Sequence, residues 1–507
     1  MANILVIGAG IGGLAVAARL ARQGHAVTIV EKNSAAGGRM LRLDRDGYRF
    51  DTGPTLFLMP DVFAETYSAL GQDMRDHLDL RRIDPTYRVH FHDGSALNPS
   101  GDLQRMREQL DVMEPGAFDA YLRFMREGYR CYNASLKYFV GRNFTSLLQY
   151  FSPQNLPLMF ELKALRKHYD NVAGYFRDPR LRAAFSFQNM YLGVSPYDAL
   201  ATYALLQYTE MGEGVWFPRG GMYAVIESLA KIAASLGVQF RYRSPVAKID
   251  VDTVRGRATG ATLVSGEVLR ADTVIANADL PYVYDRLLPD AVPGRLARMK
   301  YTSSALMFYW SVRGQRAPQL LHHNVFLSDH QYRQSFDRIF RDLTLPDEPS
   351  FYIAAPTRTE PDFAPADGDS IMALVPVGYI DERKPQDWAA LRQRAREAVF
   401  ARLHRYGLGD LRERILSEET LGPQEYRDQL NLAKGAAFGL SHNFTQVGYL
   451  RPHNRHARYG NLYFVGASTH PGTGLPMVLL SAKLVQERIS QEQHQQINYS
   501  YKSRKQE

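Results

Sequence analysis

Cysteine is almost missing from these 507 residues: Cys131 stands alone. One thiol forms no disulfide within the chain, no thiolate metal cluster and no Cys-x-x-Cys redox pair, so a packed or idle thiol on a helix is expected. Long apolar runs are missing too. None reaches the ~18 residues of a membrane span, and mean hydropathy is −0.32. The N-terminus lacks the basic region of a signal peptide, and glycines break its apolar run. A chain that starts and folds in the cytoplasm is therefore expected. Absent as well are a serine–histidine–acid motif, a metal site and an obvious pair of catalytic carboxylates. His90 and His92 share a face of the alternating stretch Tyr87 to Gly94, but no third ligand is near in sequence; a half-exposed strand face is expected. Nucleic-acid modules are missing. The net charge of +8 therefore points to an anionic membrane face, or simply to a basic surface.

What is present begins at Ile4. Four apolar residues, Ile4 to Ile7, read as a buried parallel strand. Gly8-Ala9-Gly10-Ile11-Gly12-Gly13 follows, and Ala15 to Arg22 reads as a helix. Gly8 permits the tight turn, Gly10 admits a pyrophosphate to the backbone, and Gly13 lets helix and strand pack closely. The helix N-terminus then offers N–H groups and the positive end of its dipole to phosphates. Ala26 to Val30 gives a second strand ending in Glu31, where a ribose hydroxyl pair is usually held. The fingerprint fits a dinucleotide and leaves open which one.

The length allows two or three domains sharing one large core. Asp61 to Gly71 looks helical. From Gly101 to Gly214 the pattern is helical and unusually aromatic, with a basic cluster at Lys163, Arg166, Lys167 and His168. Two readings stand side by side there: an interfacial, membrane-facing surface and a helical cap packed on the core. Glu213 to Met222 reads as a loop rich in breakers. Tyr223 to Leu236 is an amphipathic helix, and short strands alternate with turns from Val246 to Val274. Ala305 to Val312, Phe351 to Pro356 and Ile371 to Val377 read as a sheet flooring a substrate cavity, and Trp388 to Tyr406 as a surface helix. Asn461 to Lys483 is the second anchor: a strand ending in Gly466, a glycine-rich loop, and a helix beginning near Pro476. From Gln491 a polar tail, 491–507, is expected to be disordered.

Gly37-Gly38-Arg39, just past Glu31, resembles the flavoprotein family of amine oxidases, protoporphyrinogen oxidase and carotenoid desaturases. Phe50-Asp51-Thr52-Gly53-Pro54-Thr55 matches that family's next flavin-proximal segment. Asn461 to Lys483, Ala276 to Pro281, Arg451 to Asn454 and Ala373 to Gly378 are similar to bacterial phytoene desaturases and their C30 counterparts. The resemblance implies an α/β fold: a Rossmann-like FAD-binding domain with an inserted α+β substrate domain and a helical cap. It places FAD-binding parts at 1–85, 216–284 and 446–490, the cap with one substrate-sheet strand at 86–215, and the substrate domain at 285–445. It implies non-covalent FAD at Gly8, Gly10, Gly12, Gly13, Glu31, Lys32, Gly38, Arg39, Thr52, Gly53, Pro54, Val246, Asn277, Gly466, Ala467, Gly474, Leu475, Pro476 and Met477. Arg39 would lie by the pyrophosphate and the Val246 backbone by the adenine.

The activity implied is desaturation of phytoene in carotenoid biosynthesis: hydride transfer from an allylic carbon to flavin N5, with proton loss from its neighbour. No catalytic residue is assigned, and His470 reads as a brace for its loop. The partners implied are a long apolar polyene, a membrane surface on the inner face of the cell membrane, and quinone or oxygen as electron acceptor; nucleic acid is not expected, and the oligomeric state is open. Many C40 desaturases have a small residue where Met477 stands, so a narrowed cavity keeps a C30 diapophytoene desaturase or a later-step carotene desaturase in view. A redox-neutral carotenoid isomerase, an amine oxidase and a flavin-free prenyl carrier are the further alternatives. For the amine oxidase, no cysteine near Thr469 offers a covalent flavin link; for the carrier, the intact flavin segments argue against it.

Overall fold

The computed structural model describes residues 1–504. Its first sheet has five parallel strands in the order Leu462–Phe464, Thr273–Ala276, Asn3–Ile7, Ala26–Val30, Gln239–Arg241. The two-residue repeat of a strand sends Ile4, Val6, Ile29 and Ile275 to one face. It sends Leu5, Ile7, Val30, Val274 and Ala276 to the other. Helices Ile11–Arg22, Tyr223–Ser235 and Leu475–Arg504 cover the first face. A three-stranded antiparallel layer, Val246–Asp252, Arg257–Leu263 and Val268–Arg270, covers the second. A strand buried on both faces must be apolar at consecutive positions, and Ile4 to Ile7 supplies that run. The α/β, Rossmann-like arrangement is the one the sequence implies.

The second sheet has seven strands in the order Ile415–Leu421, Ser304–Arg313, Gly368–Val377, Phe351–Ala354, His323–Phe326, Arg88–His90, Ala96–Leu97. Only the contact of His323–Phe326 with Arg88–His90 is parallel. Leu306, Phe308, Trp310 and Val312 pack under helix Trp388–Arg405 through Trp388, Leu391 and Val399. Ala305, Met307 and Tyr309 face the opposite way, onto Tyr48, Phe50 and Tyr426. The central strand thus joins the helix layer on one side to the first domain on the other. A third body is built on rings: Phe124, in helix Ala117–Ser135, meets Phe176 and Phe185 edge-on at 6.1 and 6.0 Å.

Three expectations need correction. Val215–Pro218 is a strand, not loop, and pairs antiparallel with Leu80–Ile83. The glycines on either side fence it, and its partner lies too far off in sequence for a local pattern to reveal. His90 and His92 do not share a strand face, because the strand ends at His90. His90 is buried and stacks on Phe326 at 4.2 Å, whereas His92 is on the surface. The tail expected to be disordered from Gln491 continues the last helix through Arg504. Glu492 anchors it: Tyr463 Oη donates to Glu492 Oε2 at 2.6 Å and Arg488 Nε donates to Glu492 Oε1 at 2.9 Å. Residues 505–507 of that tail lie outside the described residues. Among the described residues no helix is long and apolar enough to cross a membrane.

Candidate functional site

Both ends of the chain converge on Asn277. Its backbone N–H donates to the Ile7 carbonyl at 2.8 Å, and its Nδ2 donates to the Val465 carbonyl at 2.9 Å. The end of the first strand and the end of the last are thereby held to the one between them. Helix Ile11–Arg22 enters this junction edge-first. A Cβ on Gly12 would lie 2.7 Å from Asn277 Nδ2, Val465 and Val478 alike, so no side chain fits. Gly38 crosses over Gly10; a Cβ there would lie 3.2 Å from the Gly10 Cα, and Gly37 N–H donates to Ala9 O at 2.9 Å. Gly8 and Gly13 close the same turn. The helix starts at Ile11 with Gly10 at its cap and no capping side chain. Its first N–H groups are left for an anion.

Glu31 is buried at the second strand's tip and accepts from Ala9 N at 2.8 Å and Asn33 N at 2.9 Å. Its backbone carbonyl accepts from Ser244 N at 2.8 Å, which brings the half-buried Val246 to the same end. Lys32 Nζ donates to the Gln429 carbonyl and, at 3.4 Å, to Asn33 Oδ1. Arg39 Nη1 donates to Ala437 O at 3.0 Å. Burial holds the Arg39 guanidinium below its usual value, and the Asp279 charge opposes that. Asp279 accepts from Ser468 Oγ at 2.5 Å and Ala433 N at 3.0 Å; burial pushes it up while those bonds and Arg39 pull it back.

Thr52 Oγ1 donates to Leu41 O at 3.1 Å, and Tyr309 Oη donates to Thr52 O at 2.8 Å. That bond ties the second sheet to the segment Thr52-Gly53-Pro54. Gly53 packs on the Arg39 carbonyl. Gly466 and Ala467 lie past the last strand; Gly474, Leu475, Pro476 and Met477 lie at the start of the C-terminal helix, with Met477 half-buried against the first domain's core.

Sequence reasoning missed the residue that shapes the C-terminal loop. Arg451 is fully buried and donates to five carbonyls: Thr469 at 2.9, Ser441 at 2.9, Gln446 at 3.0, Leu440 at 3.1 and Ala467 at 2.5 Å. Burial lowers it to about 10. Asn454 Nδ2 donates to His470 O at 2.8 Å and Ser481 Oγ at 2.9 Å. The motif Arg451-Pro452-His453-Asn454 stood out only by resemblance; nothing local shows that two of its side chains cross to another loop. His470 is buried, and its Nε2 hydrogen-bonds the Arg142 carbonyl at 3.0 Å. Burial lowers its imidazole to about 4, so it is neutral and braces the loop against the helical cap.

His92, His330 and Glu348 come together on the surface. The imidazole centres stack 3.6 Å apart. Two rings sharing an ion at about 2.0–2.1 Å would stand roughly 4.5–5 Å apart. Arg402 Nη1 also lies 3.3 Å from His92 Nδ1. The group is a stacked pair beside a carboxylate, not a set of converging ligands.

The junction at Asn277 offers a glycine-narrowed turn, an uncapped helix start, a carboxylate at the second strand's tip and the half-buried Arg39 guanidinium. Those are the donors and acceptors a dinucleotide requires. Residues 11–490 match the family profile for flavin containing amine oxidoreductases. The chain is 47% identical over 497 residues to a zeta-carotene-forming phytoene desaturase from Myxococcus xanthus, covering 97% of this chain and 95% of that one. It is 33% identical over 498 residues to a 4,4'-diapophytoene desaturase (4,4'-diaponeurosporene-forming) from Staphylococcus haemolyticus, covering 96% and 98%. Among solved structures, cyclohexylamine oxidase from Brevibacterium oxydans superposes with a TM-score of 0.60 at 17% identity over 97% of this chain and 99% of that one, a likeness of fold.

Proposed function

From the premise that this chain belongs to the flavin containing amine oxidoreductase family, we propose that it is a carotenoid desaturase acting on phytoene. The observation that carries the reading is the junction at Asn277, set beside the full-length identity to a phytoene desaturase. Members of the family carry a flavin. We take it to be FAD held without a covalent link: glycines 8, 10, 12 and 13 and the helix start would hold the pyrophosphate with Arg39, Glu31 the ribose, and Val246 the adenine end. The loop Gly466–Gly474 and the helix start at Leu475 to Met477 would lie at the ring end. Bound flavin supplies a two-electron hydride acceptor. The protein's own part is to hold an extended apolar chain, which has no polar handle, by shape and to keep water from it.

Access follows from the cap. Leu148, Phe160 and Leu165 are 84%, 74% and 71% exposed. The same segment touches the C-terminal loop through the His470 contact to Arg142. Rings and leucines beside Arg166 and Lys167 suit the headgroup layer of an anionic membrane, where a polyene dissolves. We read this face as the substrate entrance on the inner side of the cell membrane, with quinone or oxygen reoxidising the flavin. The C30 reading keeps support from the diapophytoene desaturase similarity. One experiment separates the two. The chain is expressed in a pigment-free host that makes phytoene and in one that makes diapophytoene, and the product spectra are compared. Coloured polyene only in the first host is expected; colour only in the second replaces phytoene with the C30 chain, and no colour in either rejects desaturation.

A further inference from the structure

Glu210 lies in the turn Thr209–Glu213 and is 0% exposed. Two other buried carboxylates sit against cations: Glu114 against Arg177 at 3.2 Å and Asp369 against Arg358 at 2.8 Å. Glu210 has phenols and an amide instead. Tyr87 Oη donates to Glu210 Oε2 at 2.9 Å, and Gln188 Nε2 donates to Tyr87 Oη at 2.8 Å. Glu210 Oε1 has no hydrogen-bond partner. A glutamine would satisfy Tyr87 equally without the penalty of a buried charge, so packing alone does not ask for an acid here.

Tyr191 is the second phenol beside this carboxylate. It is half-buried although Gln188, Asn189 and Leu192 around it are buried. Tyr352 lies within electrostatic reach of Tyr191, and Tyr352 Oη shares a hydrogen bond with Thr55 Oγ1 at 2.8 Å. Thr55 follows Thr52-Gly53-Pro54 directly. Tyr352 and Tyr191 thus lie between the segment beside Arg39 and one buried acid. The other titratable groups facing these residues are Tyr121, His323 on Tyr352 at 2.6 Å, and His168 beyond Gln207. Burial keeps both imidazoles neutral, His168 at about 4 and His323 well below its usual value. With no cation among its neighbours, burial pushes the Glu210 carboxyl up to about 8.

We propose that Glu210, through the Tyr191 hydroxyl, takes the proton released as each double bond forms. The inference rests on the desaturase reading. One C–H bond of the substrate gives its hydrogen and both electrons to the flavin-class acceptor. The neighbouring C–H bond gives up a proton alone, and its electron pair becomes the new π bond. That proton reaches the Tyr191 oxygen as the Tyr191 proton passes to Glu210, leaving a carboxylic acid and an intact phenol. A base with this affinity works as pH rises towards the point where it ionises.

The test uses flavin-loaded full chain and phytoene in vesicles. Wild-type kcat should rise with pH through a midpoint of about 8, and infrared spectra should show a carboxylic acid band that fades with the same midpoint. Glu210→Gln should lose the band and the pH limb, and kcat should fall by roughly 100-fold or more; Glu210→Asp should restore a limb. Tyr191→Phe should lower kcat, with KM and melting temperature kept and the band still present. Should Glu210→Gln fail to fold, Tyr191→Phe and the infrared titration decide. Wild-type rate and pH profile in Tyr191→Phe, or in folded Glu210→Gln, overturn the inference while wild-type turnover leaves the desaturase reading intact. No turnover by wild type overturns both.

Discussion

Arg39 is a half-buried arginine near a carboxylate it does not touch, with one of its amine groups spent on Ala437. That arrangement leaves donors for a phosphate. Replacing Arg39 with Ala should weaken flavin retention by ~1.5–3 kcal/mol, roughly 10- to 150-fold. Fluorescence of flavin released on gel filtration measures it, and full retention would remove Arg39 from the pyrophosphate site. The glycines around it were legible because their spacing is local: each serves a turn that completes within a few residues. The partner of the Lys32 side chain was not, because the Gln429 carbonyl lies almost four hundred residues on in the chain. Arg451 and Glu210 escaped for the same reason. What defines them is a set of carbonyls and phenols gathered from distant segments.

Among elements, the start of the C-terminal helix would set the width beside the proposed ring. Met477 is half-buried there. In Met477→Ala a longer or more conjugated product should accumulate, seen as a shift of the absorption maximum to longer wavelength; an unchanged product mixture would place Met477 outside the channel. The cap segment makes its own prediction. Changing Leu148, Phe160 and Leu165 together to Ser exposes no core, since all three are already on the surface. Co-sedimentation with anionic vesicles should drop while melting temperature holds. If the triple variant still pellets with vesicles as wild type does, the membrane contact lies elsewhere. Strong periodic helices and the long strands of the second sheet were readable in sequence. The strand Val215–Pro218 and its partner Leu80–Ile83 were not, because each is short and the pairing is long-range.

The whole molecule carries an acid sensitivity that follows from its buried rings. Burial lowers His90 and His322 to about 3, His168 and His470 to about 4, and His323 and His442 well below their usual value. Each binds its proton more tightly unfolded than folded, so each costs stability as pH falls below ~6.5. Asp51, raised to about 6, and Glu210, raised to about 8, act in the opposite sense. Six histidines against two carboxyls leave a net uptake of protons on unfolding near pH 5, so stability falls as pH falls there. The melting temperature should therefore fall steeply between about pH 6.5 and 5. A flat profile there would mean that the imidazoles are not kept neutral by burial.

The five-stranded sheet takes its strands from Asn3–Ile7 at one extreme and Leu462–Phe464 at the other. Synthesis runs from the first to the last, so a ribosome must emit the chain through Phe464 before the edge beside Thr273–Ala276 is filled. Until then the nascent chain has a fingerprint without a completed cradle, and its exposed sheet edge invites chaperones. Flavin supply should therefore act on chains whose last strand has been made, and flavin starvation should leave apoprotein that contains that strand rather than shorter fragments.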